Sequence, residues 1–309
     1  MPKSKNIMSD DTLENSIKYI IDETNSNPNT IYTIIFMGGE IGTFNQQKLI
    51  DSVKYIRNKC KNVKICTQTN LLYDITDDHL LFFKLLDTVY TSYDYSVRFA
   101  NNKKRVQWFY NVRYLKGLNI DLGCTLCLTK DVINNLEPKA FFDIMLGLDI
   151  KQIELERLFK PFTDSKTYAH TITTNREQSL WLFKAFKIYE ELKPYGFYID
   201  PFECIIESLK GNNYHEHSRT CQEHNLTIHW NGDVSQCLST NCMSFYNVNT
   251  RQTNVGVYQG NVDKERIVDH RCFQCHLYKF CKGDCCVRQW DETGCPTPKQ
   301  IYEYLMDKE

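Results

Sequence analysis

The cysteines of this chain are concentrated towards its C-terminal end. Ten of the 14 cysteines in 309 residues lie between Cys204 and Cys295. The other four are Cys60, Cys66, Cys124 and Cys127, and we expect these four to be buried. A chain of this length buries most of its apolar surface without covalent cross-links, so stability alone does not require them. The clustering predicts a change of domain near residues 200–215 and points to metal ligation, redox chemistry or burial as the role of the cysteines.

Composition narrows the cellular setting and the classes of partner. The N-terminal sequence MPKSKNIMSDDTLENS lacks the apolar core of a secretory signal, and no stretch approaches the about 18 apolar residues of a membrane span. We therefore expect a soluble, cytoplasmic protein, in which structural disulfides are rare.

The formal net charge is −1, with 37 basic and 38 acidic side chains and no long basic run. This balance argues against nucleic acid and membrane as partners.

The first two thirds of the sequence alternates short β-branched runs with amphipathic stretches, a pattern typical of repeated β-α units. The candidate strands are Ile31–Met37, Val63–Thr67, Thr88–Ser92, Ile120–Leu128 and Ile150–Leu155. The candidate helices are the run LENSIKYIIDE after Asp10-Asp11-Thr12, then Asn45–Lys59, Asp78–Leu86, Lys103–Leu118, Glu137–Leu146 and Asn175–Leu192. Strands spaced by helices predict an α/β fold with a parallel sheet, either open or closed as a barrel.

The sequence after Gly211 has a different character. Histidine, asparagine, glycine and cysteine dominate, and only two short strand-like pieces stand out, LTIHW and a second piece around Gly256–Tyr258. Gly232 lies in the turn NGD, which suits a tight hairpin that would return Cys237 towards Cys221.

The spacing of the C-terminal cysteines is regular enough to indicate ligation. It reads C-x10-G-x4-C from Cys221 to Cys237, and then C-x2-C-x5-C-x3-C. The second run consists of Cys272, Cys275, Cys281 and Cys285, and Cys295 follows after nine intervening residues. Thiolates two residues apart bind either structural zinc or an iron–sulfur cluster, and spacing alone does not separate the two. His270 and His276 are further candidate zinc ligands, although the simpler interpretation places both on the surface.

The whole spacing resembles the SPASM domain found at the C-terminus of many radical S-adenosylmethionine (radical SAM) enzymes. In that family the domain holds two auxiliary 4Fe–4S clusters. The resemblance implies that Cys221, Cys237 and Cys285 bind the first cluster. It implies that Cys272, Cys275, Cys281 and Cys295 bind the second. The fourth ligand of the first cluster has no unique match, because Thr227 stands where some relatives have cysteine. Cys204, Cys242, Cys286 and a substrate thiolate remain open alternatives.

The N-terminal part carries segments similar to those that bind S-adenosylmethionine in the family. Met37-Gly38-Gly39-Glu40 follows the first strand as the GGE motif does, which implies that the glycines admit close backbone approach and that Glu40 holds the amino group of the cofactor. Ile41 stands where the family usually has proline. Without the family context, the tetrapeptide is an ordinary glycine turn at the end of a strand.

Two more segments extend this similarity. Thr69-Asn70 stands in the place of the TN(G) segment, and Ser92-Tyr93-Asp94 resembles the SxD segment whose polar groups face the ribose. Read singly, Asn70 is also a plausible turn residue and Asp94 a helix cap. Glu154, Glu156 and Arg157 end the next strand, where they either line the site or form surface ion pairs.

One defining element of the family is absent from the sequence. No C-x3-C-x2-C triplet is present, and the N-terminal stretch SKNIMSDDTLENSIKYI resembles the segment that usually follows the cluster loop. Three explanations remain open: a truncated gene product, a natural shortened homologue, and a second chain that supplies the missing half of the site. Loss of the first strand would leave an open parallel edge, which proteins usually cover.

The resemblance implies an incomplete β/α barrel of the radical SAM type over residues 1–205 and a small cysteine-rich SPASM-like domain over residues 206–309. It implies an oxidoreductase or maturase that modifies a peptide or protein side chain by 5′-deoxyadenosyl radical chemistry and needs a reducing electron donor. We do not expect this chain to cleave S-adenosylmethionine by itself, and we expect it to bind this cofactor only if the missing cluster site is supplied. Leu238 stands where sulfatase-maturating relatives have an aspartate that acts as the catalytic base, so no catalytic residue is assigned. The alternative is a non-catalytic iron–sulfur or zinc-binding recognition module.

Overall fold

The structure, a computed structural model, describes residues 7–93, 95, 99, 101–158, 171–212, 225–236, 244–253, 268–285 and 288–308. These residues form two compact units. One contains Glu14–Cys127 and Ala140–Glu156, and the other contains Met1–Leu13, Leu128–Lys139 and Arg157–Glu309. The predicted domain boundary between residues 205 and 206 stays a prediction.

A parallel sheet organises the first unit. Its strands are β1 (Tyr32–Phe36), β2 (Val63–Thr69), β3 (Thr88–Tyr93), β4 (Leu122–Cys127) and β5 (Gln152–Glu156). Each strand pairs in parallel with the next one along the chain. The order of these strands in the sheet is β1-β2-β3-β4-β5. A further short strand, β6 (Tyr198–Asp200), belongs to the second unit. The five predicted strands are thus confirmed, with shifted ends, and so is the α/β class with a parallel sheet.

Helices alternate with these strands, as predicted. They are α1 (Asp10–Ser26), α2 (Gln46–Lys59), α3 (Asp77–Lys84), α4 (Asn102–Gly117), α5 (Lys130–Asn135), α6 (Pro138–Gly147), α7 (Asn175–Leu192) and α8 (Phe202–Leu209). Polar side chains cap several N-termini by accepting backbone N–H bonds: Asn45 caps α2, Asn101 caps α4, and Thr174 forms a capping box with Glu177 on α7. Local sequence therefore determines where these helices begin.

The helix-facing side of the sheet is the apolar core of the first unit. Ile65, Val89 and Leu126 on three successive strands are each fully buried, at 0% exposure. Trp108 on α4 is also fully buried, and its indole N–H donates a hydrogen bond of 3.0 Å to Thr91 Oγ1 on β3. Because side chains alternate along a strand, the opposite side is left for polar residues such as Gln68 and Ser92.

The second unit is richer in turns. Besides α5, α7 and α8, it contains two further helices in the described ranges, α9 (Tyr278–Cys281) and α10 (Lys299–Met306). It also has an antiparallel sheet of β7 (Thr227–Ile228), β8 (Asp233–Ser235) and β9 (Tyr246–Asn247). The predicted hairpin at Gly232 is confirmed: this residue has a φ of 88°, which favours glycine. Cys221, Cys237 and the strand-like piece around residues 256–258 lie outside the described residues.

None of the helices in the described ranges has the length and apolar content needed to span a membrane.

Candidate functional site

The loop after β1 brings an exposed glycine pair to the carboxyl end of the sheet. Gly38 and Gly39 are exposed, and a Cβ added to either would meet no atom within 4 Å. The loop therefore leaves space for another molecule to approach its backbone. The chain then enters a short 3-10 turn, Ile41–Thr43, whose N-cap is Glu40.

The Glu40 carboxylate is held by three donors of its own chain. Its Oε1 accepts hydrogen bonds from the Gly42 backbone N–H at 3.1 Å and from Thr69 Oγ1 at 2.5 Å. Its Oε2 accepts the Asn70 backbone N–H at 2.9 Å. A carboxylate offers about four lone-pair positions, so these bonds fix its orientation and leave about one acceptor position, on Oε2. Glu40, Thr69 and Asn70, which were predicted separately, thus form one cluster at the ends of β1 and β2.

Three residues that sequence reasoning missed support this cluster. The Tyr73 hydroxyl lies 2.9 Å from Thr69 Oγ1, and burial raises the pKa of Tyr73 well above its usual value. The Tyr73 ring also packs so close to Gly42 that a Cβ there would overlap it. His79 Nε2 lies 2.9 Å from the Gly42 carbonyl oxygen. The glycine at position 42 is the one signal in the sequence that indicated such a close approach.

The Asn70 side-chain oxygen stabilises the turn after β2. Its Oδ1 accepts the Leu72 backbone N–H at 2.7 Å, an Asx turn. Leu71 has a φ of 51°, a left-handed conformation, and stands at the glycine position of the TN(G) segment. The Asn111 amide on α4 donates to the Leu71 carbonyl at 3.0 Å and to the Tyr73 carbonyl at 2.8 Å. The backbone contributes through the Asn70 N–H, whereas the Asn70 side chain stabilises the turn.

A row of polar side chains crosses four strands beside this cluster. Gln68 Nε2 on β2 donates to Ser92 Oγ on β3 at 3.0 Å. Ser92 is in register with Thr125 on β4, and Thr125 with Glu154 on β5. Thr125 Oγ1 donates to Glu154 Oε2 at 2.9 Å. Ser92, a predicted site residue, and Glu154 therefore lie on the same face of the sheet. This position agrees with the interpretation of Glu154 as a residue that lines the site. Asp94 lies outside the described residues.

The cysteine motif begins at a 3-10 turn, His270–Gln274, and continues through α9. The Cys275 backbone N–H donates to the Cys272 carbonyl at 3.0 Å. After Cys281, Lys282, Gly283 and Asp284 all have positive φ, at 52°, 87° and 61°. This left-handed turn lets the backbone N–H of Asp284 reach the Cys281 carbonyl at 2.8 Å and leads directly to Cys285.

Neighbouring groups show which thiols lie near one another. Burial raises the pKa of the Cys281 thiol, and the charges of Asp284 and Cys275 raise it further. Burial also raises the pKa of the Cys295 thiol, and the charge of Asp284 raises it further. Cys281 therefore lies near Cys275, and Cys281 and Cys295 both lie near Asp284.

Within the described ranges, no group of three or more His, Cys, Asp or Glu side chains is positioned to hold a metal ion. Cys221, Cys237, Cys242 and Cys286 fall outside those ranges. The side chains of His270 and His276 are exposed, which agrees with their interpretation as surface residues. The assignment of Cys272, Cys275, Cys281, Cys285 and Cys295 as ligands stays a prediction.

Arg157 has a role different from both sequence-based alternatives. It neither forms a surface ion pair nor presents a free guanidinium, because it is only 6% exposed and is bound to Asp284 by two hydrogen bonds. Its Nη1 also donates to the Pro296 carbonyl at 2.8 Å. Arg157 therefore holds the turn between Cys281 and Cys285 in place.

The four cysteines before residue 200 were expected to be buried. Cys60, Cys66 and Cys124 are buried, as expected, and burial raises the pKa of each thiol. Cys127 is exposed, so the expectation is wrong there. It is the last residue of β4 and lies on the side of the strand opposite Leu126, which is fully buried.

No protein-family model matches the sequence, and no curated protein matches it. Among solved structures, native anSMEcpe with bound AdoMet is similar, with a TM-score of 0.74 and 18% identity over 99% of this chain and 89% of that chain. Native anSMEcpe with bound AdoMet and Kp18Cys peptide is also similar, with a TM-score of 0.74 and 17% identity over 99% of this chain and 91% of that chain. The form with Cp18Cys peptide has a TM-score of 0.73, also at 17% identity.

These neighbours are anaerobic sulfatase-maturating radical SAM enzymes with a SPASM domain. The similarity shows that this chain has their fold, the partial parallel β/α barrel predicted from the sequence.

Proposed function

We propose that this chain is a cytoplasmic radical SAM/SPASM oxidoreductase or maturase that binds S-adenosylmethionine at the carboxyl ends of its strands and acts on a peptide or protein side chain. The observation that supports this proposal best is the Glu40 carboxylate. Three donors orient it, and its Oε2 retains about one acceptor position next to an exposed glycine pair. A preoriented carboxylate suits the ammonium group of the cofactor, because charge-assisted hydrogen bonds are about twice as strong as neutral ones.

We propose that the row of polar side chains contacts the ribose of the cofactor. Ser92, oriented by Gln68, and the Thr125–Glu154 pair offer hydroxyl and carboxylate oxygens on one face. Such groups suit the hydroxyls of a ribose. Gly38, Gly39, Glu40, Thr69, Asn70, Ser92 and Asp94 are the proposed cofactor-binding residues. The solved neighbours with bound AdoMet and bound peptides support this class of cofactor and of substrate.

The donor chemistry of the cysteine motif fits iron–sulfur clusters. Thiolates are the ligands that such clusters use, and the motif supplies them in a neighbourhood that already contains Cys275, Cys281 and Cys295. We propose that Cys272, Cys275, Cys281 and Cys295 hold one auxiliary 4Fe–4S cluster and that Cys221, Cys237 and Cys285 hold a second. When bound, such clusters supply electron transfer or a site for the substrate. Zinc is the alternative metal for the same thiolates.

The cluster that cleaves S-adenosylmethionine needs three thiolates that this sequence does not contain. We propose that a longer form of the chain or a second chain supplies these thiolates. The same addition would cover the edge of the sheet at β1. The absence of the C-x3-C-x2-C triplet also favours a second candidate function, a metal-binding homologue that recognises a peptide or protein without radical chemistry.

Two measurements test the proposal. Protein purified without oxygen is expected to contain about eight irons per chain with acid-labile sulfide, as two clusters require. Once a longer form of the chain or a second chain supplies the missing cluster site, calorimetry with S-adenosylmethionine is expected to show binding that Glu40→Gln weakens at least about tenfold, or about 1.4 kcal/mol. Glu14→Gln, a change at an exposed residue of α1, is the matched control.

The outcomes separate the candidates. Iron and sulfide without cofactor binding would favour the recognition module. Zinc without sulfide would contradict both clusters. The DNA upstream of the Met1 codon addresses the missing element: an in-frame C-x3-C-x2-C within about 40 codons would supply the remaining barrel strand and cluster loop.

A further inference from the structure

The outer face of α4 has an unusual composition for a surface helix. The face consists of Arg105, Val106, Tyr110, Arg113 and Tyr114, which we call the α4 face. The inner side of the same helix contributes Trp108, Val112 and Leu115 to the core, all fully buried. A helix with an apolar inner side normally presents charged and polar residues to solvent. Here the outer side is aromatic and cationic.

The α4 face is well exposed. Val106 is 59% exposed, Tyr110 is 64% exposed and Tyr114 is 40% exposed. The two tyrosine rings lie parallel, with centroids 6.3 Å apart and an interplanar angle of 13°. Together with Asn102 and Phe109, the face lines a cleft of about 580 Å³. Tyrosine and arginine are the residue types most enriched at binding hot spots, and exposed apolar groups framed by polar ones mark binding sites.

The charge of α4 specifies the kind of partner. The helix contains Lys103, Lys104, Arg105, Arg113 and Lys116 and no acidic residue. Lys116 is paired with Asp149 at 3.0 Å. No ion pair of Arg105 or Arg113 is found among the residues that the structure describes. The α4 face therefore carries two guanidinium groups, about two helical turns apart, with stacked tyrosine rings beside them.

We propose that the α4 face docks an acidic polypeptide segment that also carries a large apolar side chain. Carboxylates of the segment pair with Arg105 and Arg113, and the apolar side chain packs on Val106, Tyr110 and Tyr114. A polypeptide fits better than a nucleic acid, because the net charge of −1 provides no extended basic field for a phosphate backbone. The inference goes beyond the proposed function, since no residue of this face belongs to the glycine loop, the polar row or the cysteine motif.

The full chain can be tested with defined probes by fluorescence anisotropy. The first probe is a fluorescein-labelled peptide of about 14 residues that contains several glutamates. It has leucine or phenylalanine at every fourth position, a spacing that suits docking along a helix. The second replaces each glutamate by lysine. We expect the acidic peptide to bind at least about tenfold tighter, with an affinity that falls as salt rises.

Variants place the binding on the α4 face. Arg105→Glu/Arg113→Glu is expected to weaken binding of the acidic peptide at least about tenfold. Lys54→Glu/Lys84→Glu, on exposed residues of α2 and α3, changes the net charge equally and is expected to leave affinity within about twofold. Tyr110→Ala/Tyr114→Ala is expected to weaken binding without lowering the unfolding midpoint, because both rings are exposed.

Four results of the binding measurements would overturn the proposal. These are equal affinity for the two peptides, equal loss in the two charge-reversal variants, no binding of the acidic peptide at about millimolar concentration, and tighter binding of a single-stranded oligonucleotide of similar length. A dimer in light scattering that Arg105→Glu/Arg113→Glu dissociates would assign the face to a second copy of the chain and equally overturn it.

Discussion

Arg157 and Asp284 form a buried, bidentate ion pair between residues 127 positions apart in the sequence. Arg157 Nη1 donates to Asp284 Oδ2 at 2.8 Å, and Nη2 donates to Oδ1 at 3.0 Å. Arg288 adds a second guanidinium 3.6 Å from Oδ1. Burial raises the pKa of Asp284, but the two arginines more than offset this effect, so the pKa lies well below its usual range. The pair anchors the left-handed turn that separates Cys281 from Cys285.

Removing Arg157 should destabilise the protein strongly. Arg157→Met leaves the Asp284 carboxylate buried with one of its two cationic partners gone, and breaking a buried pair in this way costs about 3–5 kcal/mol. The unfolding free energy from a urea titration measures the effect. Lys184→Met is the control: it breaks the exposed pair with Glu137, which should contribute less than about 1 kcal/mol.

A double variant separates this charge effect from lost packing. Arg157→Met/Asp284→Asn should recover part of the stability, because no uncompensated carboxylate is then buried. Equal stability of the single and double variants would show that the ion pair is not what holds the turn.

A side chain at position 42 should displace Tyr73 from the Glu40 cluster. The Cβ of Gly42→Ala would overlap the Tyr73 ring, whose hydroxyl contacts Thr69, and overpacking of this kind costs about 1–3 kcal/mol. Gly38→Ala, which meets no atom within 4 Å, is the matched control and should cost much less. In a Tyr73→Ala background the cost of Gly42→Ala should fall by at least about 1 kcal/mol. Additive effects would contradict the proposed contact.

Loss of one motif cysteine should change the metal content. Cys275→Ser is expected to lose about half of the iron and to lower the melting temperature, because the energy of metal binding is also folding energy. Cys60→Ser changes a buried cysteine outside the motif and should keep the full iron content. Full iron content and an unchanged melting temperature in Cys275→Ser would mean that the ligand assignment is wrong.

Asp87 should make stability depend on pH. Burial raises its pKa, but hydrogen bonds from the Ile65 backbone N–H at 2.6 Å and from Arg57 at 2.8 Å lower it below its ordinary value. A carboxyl whose folded pKa is lowered stabilises the protein above its unfolded pKa, about 3.9, and this contribution is lost as the pH falls through the folded pKa.

Asp87→Asn should therefore cost at most about 1 kcal/mol at neutral pH, given the partial exposure of the side chain. The difference from the wild type should stay constant between about pH 5 and 7 and shrink below about pH 4. Chemical denaturation at a series of pH values measures it, and Asp51→Asn, an exposed carboxyl on α2, is the control. A difference that grows on acidification would contradict the assignment.

Several elements could be read from local sequence because local forces decide them. The predicted bounds of α7, Asn175–Leu192, are the observed ones, since Thr174 and Glu177 form a capping box at its start. The strand ends that carry Glu40, Thr69 and Ser92 followed from the alternation of apolar runs. By contrast, β6 has three residues and α8 follows Pro201 without a side-chain cap, so neither had a periodic or capping signal long enough to predict.

The sequence by itself determined the α/β pattern, the helix caps and the spacing of the cysteines, because these depend on residues within a few positions of one another. Only the tertiary structure decided that Glu40 is oriented by Thr69 and Asn70, that Gly42 makes room for Tyr73, and that Arg157 neutralises Asp284. Such contacts join residues about 30 to 127 positions apart. Their partners are chosen by burial, since a buried polar group must find a donor or an opposite charge wherever the fold places one.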